Sequence, residues 1–214
     1  GAPLAQRRAL ASAAALANGD VLVTGGLDQD GLGNQTVLSS AERYSILSGT
    51  WSATSALLRP RSGHSATALG DGSILISAGY DNSGIHFADA ELFTGAAFVP
   101  AGEINASRFF HSAVALKDGR VLVGGGTDPY TGPMRSIEIY TPGTGWSPAA
   151  ALPLMVTPRT LASAVVLADG DVLFAGGYND VVGAISTTER YRPSTNSWTT
   201  GTGMLKRPRF DPMT

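Results

Sequence analysis

An all-β chain built from repeated antiparallel sheets is what this sequence predicts, and three observations predict it. The 27 glycines and 12 prolines are spread along all 214 residues, the pattern of many turns joining short strands. One string of residues recurs four times at a spacing near 50. No stretch shows the 3.6-residue apolar period of a helix.

The repeated string starts at Leu16, Leu69, Leu116 and Leu167, and in its first copy runs Leu16-Ala17-Asn18-Gly19-Asp20-Val21-Leu22-Val23-Thr24-Gly25-Gly26. Its turn glycines Gly19, Gly72, Gly119 and Gly170 are 53, 47 and 51 residues apart. Asn-Gly or Asp-Gly between apolar runs is the strongest short hairpin signal, since a type I′ turn needs positive φ at both central residues. Residues 11–16, 64–69, 111–116 and 162–167 are therefore expected to pair antiparallel with 21–24, 74–77, 121–124 and 172–175. Short runs around Ser40 to Tyr44, Ala90 to Phe93, Ile137 to Tyr140 and Thr188 to Tyr191 supply third strands. Each contains an acid two residues before an aromatic: Glu42 and Tyr44, Glu91 and Phe93, Glu138 and Tyr140, Glu189 and Tyr191. A second aromatic follows at Trp51, Phe98, Trp146 or Trp198 and marks a fourth strand.

An arginine opens each copy, at Arg8, Arg61, Arg108 and Arg159, and Arg209 stands where a fifth would begin. One repeat is thus one four-stranded antiparallel sheet. Without helices the sheets must cover each other's faces, and radial stacking does so while leaving only short edges. The expected architecture is a single-domain β-propeller of four four-stranded blades, at about 8–57, 58–104, 105–155 and 156–205, with 206–214 as a truncated fifth repeat. Pro208 and Pro212 make that tail a poor ladder strand, so each blade is expected to be contiguous chain, as a monomer or as a homodimer sharing a larger ring.

The combined pattern resembles the kelch repeats, in the variant found in bacterial and galactose-oxidase-like proteins. Its carriers are Arg-x-x-His-Ser-Ala (Arg61 to Ala66 and Arg108 to Ala113), Leu-x-Asp-Gly-x-[Val/Ile]-Leu, the Gly-Gly pair, Glu-x-[Tyr/Phe] and the tryptophan. Ala78 in place of a glycine, Phe98 in place of a tryptophan, and Ala11 and Ala162 in place of histidine depart from it. The resemblance implies a propeller that binds peptides on the face bearing the loops after Gly-Gly. It also brings to mind copper chemistry at a tyrosine crosslinked to cysteine, which zero cysteines exclude.

Composition narrows the function. With 15 Lys and Arg against 17 Asp and Glu, net charge −2, the chain has no basic footprint for nucleic acid, and no apolar run is long enough for a membrane span. Gly1 in first place, with no charged-then-apolar leader, reads as a processed product or a trimmed chain, and the resemblance to bacterial repeats makes a secreted or cell-surface location the expectation. No Gly-x-Ser-x-Gly elbow, His-Glu-x-x-His, phosphate loop or dinucleotide fingerprint is present.

The antiparallel hairpin puts the starts of the first strands and the residues after Gly-Gly at one end of the sheets. That end gathers the candidate ligand-binding residues Arg61, Tyr80, Asp81, Asn82, Arg108, Tyr130, Arg159, Tyr178 and Asn179. Asp28, Asp81 and Asp128, with Asn179, stand two residues past the second glycine and are candidate oxygen ligands for a divalent cation, Ca²⁺ or a transition metal; turn chemistry alone also suits them. His64 and His111 break the repeat and are candidate catalysts, with structural packing as the competing role. Recurrence of the arginines and of the Glu-x-Tyr elements points to architecture, with the glutamate bonded to a loop or to an arginine. The favoured function is a binding module for a protein segment or a carbohydrate. The alternative is a small-molecule isomerase or lyase using His64 and His111 with a nearby aspartate.

Overall fold

In a computed structural model, which describes residues 3–148 and 151–201, every Asn-Gly or Asp-Gly step closes the hairpin assigned to it. The expected fifth-repeat start and tail, Arg209 included, lie outside the described residues. Four four-stranded antiparallel sheets form in chain order. The first holds Ser12–Ala15, Val21–Thr24, Ala41–Ser45 and Thr50–Ala53, and the second Ser65–Ala68, Ile74–Ser77, Asp89–Phe93 and Phe98–Glu103. The third holds Ser112–Ala115, Val121–Gly124, Ile137–Thr141 and Gly145–Trp146, and the fourth Ser163–Val166, Val172–Ala175, Thr188–Arg192 and Ser197–Thr200.

The turn differs in type from the expected one. Among these four turns only the glycine takes positive φ (+87° at Gly19, Gly72 and Gly119, +93° at Gly170). Gly19 donates its N–H to the Leu16 carbonyl, and Leu16 donates its own to Asp20, so the loop is a type I turn closed by a left-handed glycine. The residue before the glycine stays in ordinary φ because its side chain bonds two residues ahead. Asp71 Oδ1, for instance, accepts the Ser73 N–H at 2.9 Å.

Three further two-stranded ladders follow the glycine pairs: Leu27–Gln29 with Gln35–Val37, Thr127–Asp128 with Gly132–Pro133, and Tyr178–Asn179 with Gly183–Ala184. In the second repeat this shrinks to one bridge, Tyr80 to His86. These segments are too short and too polar to show strand alternation, so the sequence reads them as loops.

The chain divides into two compact units, Gly1–Glu103 and Ile104–Thr214. In the first unit the facing sides of two sheets bury Leu22, Leu57, Ile74, Ile76, Phe93 and Phe98. In the second unit, Leu122, Ile137, Ile139, Met155, Val172 and Tyr191 do the same for the other two sheets. The recurring aromatics sit opposite one another on the third and fourth strands, with ring centroids 5.2 Å apart for Tyr44 and Trp51, 4.9 Å for Phe93 and Phe98, 5.2 Å for Tyr140 and Trp146, and 5.1 Å for Tyr191 and Trp198. Phe98 thus does in its sheet what a tryptophan does in the others, because the pairing needs a large ring rather than an indole N–H.

Candidate functional site

Backbone bridges tie each repeat's start to the residues after its glycine pair: Ala9 to Leu27, Ser62 to Tyr80, Phe109 to Thr127, and Thr160 to Tyr178. The end of the sheets that the sequence marks as one face is therefore one end in each unit. The glycine pair makes this approach sterically feasible. The pair brings the next repeat into contact: Gly26 donates its N–H to the Arg61 carbonyl at 2.9 Å, and a Cβ on Gly25 would overlap that same oxygen. Gly126 and Gly125 repeat the arrangement with Arg159. Ala78, the departure from Gly-Gly, keeps the left-handed backbone at φ +59° and is fully buried.

Arg61, Arg108 and Arg159 correct the expectation that they bind a ligand. All three are completely buried. Arg61 Nη2 lies 2.5 Å from Glu91 Oε1, Arg108 Nη2 2.5 Å from Glu138 Oε1, and Arg159 Nη2 2.7 Å from Glu189 Oε1; Arg8 and Glu42 form the same pair at 2.7 Å. Each Nη1 also donates to the carbonyl of the first residue of the glycine pair, as Arg159 does to Gly176 at 2.7 Å. Each glutamate caps the incoming chain: Glu189 accepts the N–H groups of Val156 and Thr157, and Glu91 those of Leu58 and Arg59. The guanidinium and carboxylate are committed to holding the repeat entrance to its sheet. A charged group with this many internal partners gains nothing from a solvent ligand.

Two of the three aspartates expected as metal ligands, Asp81 and Asp128, work as turn caps. Asp81 Oδ1 accepts from the N–H groups of Ser83 and Ile85, and Asp128 Oδ1 from those of Tyr130 and Thr131 and from the Thr131 hydroxyl. Asp28 faces the Arg7 guanidinium at 3.4 Å. Asn179, also expected at the ligand surface, is buried, accepts from the Val181 and Val182 N–H groups and donates to the Pro158 carbonyl. Among the described residues no three His, Asp or Glu side chains gather as a metal centre.

His64 is buried, with Nε2 2.8 Å from Thr24 Oγ1 of the preceding repeat. Burial, reinforced by the positive charge of Arg61, pushes its pKa down to about 3. The ring is neutral at ordinary pH and its proton affinity is far from what general acid or base catalysis near neutrality requires. His111, in the other unit, is half-buried and packs against Gly126. Each histidine fills the place that Ala11 and Ala162 occupy beside Gly26 and Gly177.

The remaining candidates separate by exposure. Tyr80 is half-buried with its ring 6.0 Å from His86, and Asn82 accepts the Val37 N–H at 2.7 Å, joining the loops of two repeats. Tyr178 is about one-third exposed, whereas Tyr130 is 92% exposed. The sequence reading missed the apolar tips of the same loops: Leu32, Ile85, Val181 and Val182 all stand in solvent. Their signal was available as aliphatic residues inside Asp- and Gly-rich loops, where packing gives them no reason to be.

The comparisons with known proteins agree with this anatomy. The Kelch motif matches residues 8–56 and 159–205, the first and fourth repeats. No curated protein matches the sequence. Among 232 solved chains that do match is one described as the structure of YjhT, 14% identical, with a TM-score of 0.72 over 95% of this chain and 72% of that one. Repeats with buried Arg–Glu pairs, four-stranded antiparallel sheets and this likeness of fold lead to one conclusion: the first and fourth repeats carry the Kelch motif, and the fold is similar to that of the YjhT structure.

Proposed function

We propose that this chain is a kelch binding module that grips a protein segment on the loops following its glycine pairs. The observation that carries this reading is the exposure of Tyr130, beside Val181 at 90% and Val182 at 66%, on neighbouring loops of the second unit. Those loops touch: a Cβ on Gly132 would lie 2.8 Å from Asp180 Oδ2. Large apolar side chains grouped at loop tips lose free energy to water at about 25 cal/mol per Å² until a partner covers them. Leu32, Val181 and Val182 are aliphatic and have no hydrogen-bonding group for sugar hydroxyls, which favours a protein segment over a carbohydrate.

The test is a phage-displayed library of random 12-residue peptides panned on the folded chain. Selected clones are expected to lose binding to a Tyr130→Ala, Val181→Ser variant that unfolds at the same temperature as the parent. Clones that bind both proteins equally would place recognition elsewhere. The four sheets are proposed as the four blades of one ring. A light-scattering mass near 22 kDa, the mass of the chain, fits that reading, and a stable dimer argues for a shared ring.

A further inference from the structure

We infer that Asn18 is a self-modifying position that the folded turn holds in check: its side-chain amide deamidates through the Gly19 nitrogen once the first hairpin opens, and the carboxylate formed weakens the turn that protected it. Asn18-Gly19 is the single Asn-Gly step of the sequence; the other five asparagines precede Gln35, Ser83, Ala106, Asp180 and Ser197, whose Cβ atoms hinder the close approach the reaction needs. The Gly19 nitrogen gives its proton to solvent base and bonds to Asn18 Cγ, the Cγ–Nδ2 bond breaks, and ammonia leaves with a proton taken from water. Water then opens the five-membered imide at one of its two carbonyls, giving aspartate, or an isoaspartate whose chain runs through Cγ. The net change is amide plus water to carboxylic acid plus ammonia, with nothing oxidised or reduced. Asn18 and Gly19 are both exposed, so water reaches them.

Three hydrogen bonds oppose the first step. Gly19 N–H, the group that must deprotonate, donates to the Leu16 carbonyl at 2.9 Å. Asn18 Oδ1 accepts the Asp20 N–H at 3.2 Å and Nδ2 donates to Asp20 Oδ2 at 3.0 Å, which fixes the side chain on Asp20 rather than on the Gly19 nitrogen. The same amide serves Asp20, whose side chain is 5% exposed and is held below its usual range by the Ile46 N–H, the Asn18 amide and Arg43. A carboxylate in place of the amide removes a donor and sets a second negative charge against the first. The other turns show what two such positions require. Where the residue before the glycine is aspartate in the second and third repeats, the residue two places on is its donor, Ser73 to Asp71 and Arg120 to Asp118. The fourth turn alone carries two aspartates, Asp169 and Asp171, and two arginines serve them, Arg190 and Arg192. By strand register Arg43 stands where Arg190 does, and Ser45 where Arg192 does. The first turn is therefore one cation short of the arrangement that deamidation imposes on it.

The experiment incubates the whole chain at mildly alkaline pH, native and in concentrated urea, and follows each asparagine by mass-spectrometric peptide mapping. Conversion at Asn18 is expected in urea and to be slower by about tenfold or more in the native chain, because even a modest local opening energy withholds that fraction of open turns. Equal rates at Asn18 in the two states overturn the gate. Conversion in urea no faster at Asn18 than at the other five asparagines overturns the route through Gly19. Asn18→Asp, the product made directly, is expected to lower the melting temperature by about 2 to 4 °C. Adding Ser45→Arg is expected to restore about half of that shift or more, while giving the parent no such gain. An Asn18→Asp variant as stable as the parent overturns the weakening, and a Ser45→Arg effect that is the same in both backgrounds overturns its electrostatic cause. The kinetics of the unaltered chain decide the gate even if the Asn18→Asp variant does not fold.

Discussion

Thr24 Oγ1 lies 2.8 Å from His64 Nε2, so a buried imidazole joins the second strand of the first repeat to the start of the second. The folded-state pKa of about 3 is far below the ordinary 6.5, because burial, and then Arg61, disfavour the imidazolium. The unfolded chain binds this proton and the folded chain does not, so stability is fully present above pH 6.5 and is lost as pH falls from there toward 3. Urea midpoints measured at pH 7.5, 6 and 5 should fall stepwise. His64→Ala, which copies Ala11 and Ala162, should flatten that series, and an unchanged slope would refute the assignment.

A second acid limb lies lower. Burial alone would raise the Glu42 pKa, but hydrogen bonds from Arg8 and from the Ala5 and Gln6 N–H groups outweigh it, and the net shift is downward from 4.5. Its contribution is present above that value and disappears as pH falls through the lowered folded pKa. Glu42→Gln should make the dependence of stability on pH shallower below about 4.5, while leaving the region from 6.5 to 5 as in the parent. Chemical denaturation across pH 5 to 2.5 checks this.

Removing one member of a fully buried ion pair strands the other. Glu189→Gln leaves Arg159, which is wholly enclosed, with no counter-ion, and should cost about 3 to 5 kcal/mol in urea unfolding at pH 7. Arg159→Met combined with Glu189→Leu should recover part of that loss, since no charge is then left buried. A cost below about 1 kcal/mol for Glu189→Gln would mean that the pair is solvated in solution.

Gly25 and Gly31 are separated by six positions and should respond oppositely to alanine. Gly25→Ala drives a Cβ into the Arg61 carbonyl at a backbone φ of +55° and should destabilise by about 3 kcal/mol or more. Gly31 has ordinary φ and open space around its Cβ position, so Gly31→Ala should stay within about 0.5 kcal/mol. Thermal unfolding of the two variants side by side decides it; equal effects would count against the close approach of the two repeats.

Much of the fold was legible because its signals are local and repeated. A left-handed glycine every 50 residues, an alternating apolar strand on each side of it, and an aromatic pair on the outer strands each constrain their own neighbourhood. The four sheets follow from them with boundaries a residue or two from those expected. The short ladders after the glycine pairs were not legible, since two or three residues such as Thr127–Asp128 carry no period.

That the repeat starts and the residues after the glycine pairs share an end within each unit was legible; the roles of those residues were not. Within each unit, the arginines at the strand starts, the aspartates past the glycines and the tyrosines lie at the end the hairpin topology assigns them. Sequence alone determined that grouping, because pairing direction fixes which residues share an end. Only the tertiary structure decided that Arg159 faces Glu189 across thirty residues, that Asp81 caps its own loop, and that Tyr130 is left uncovered. Those outcomes depend on what fills the space beside each side chain, and the neighbours come from distant segments whose approach no local pattern encodes.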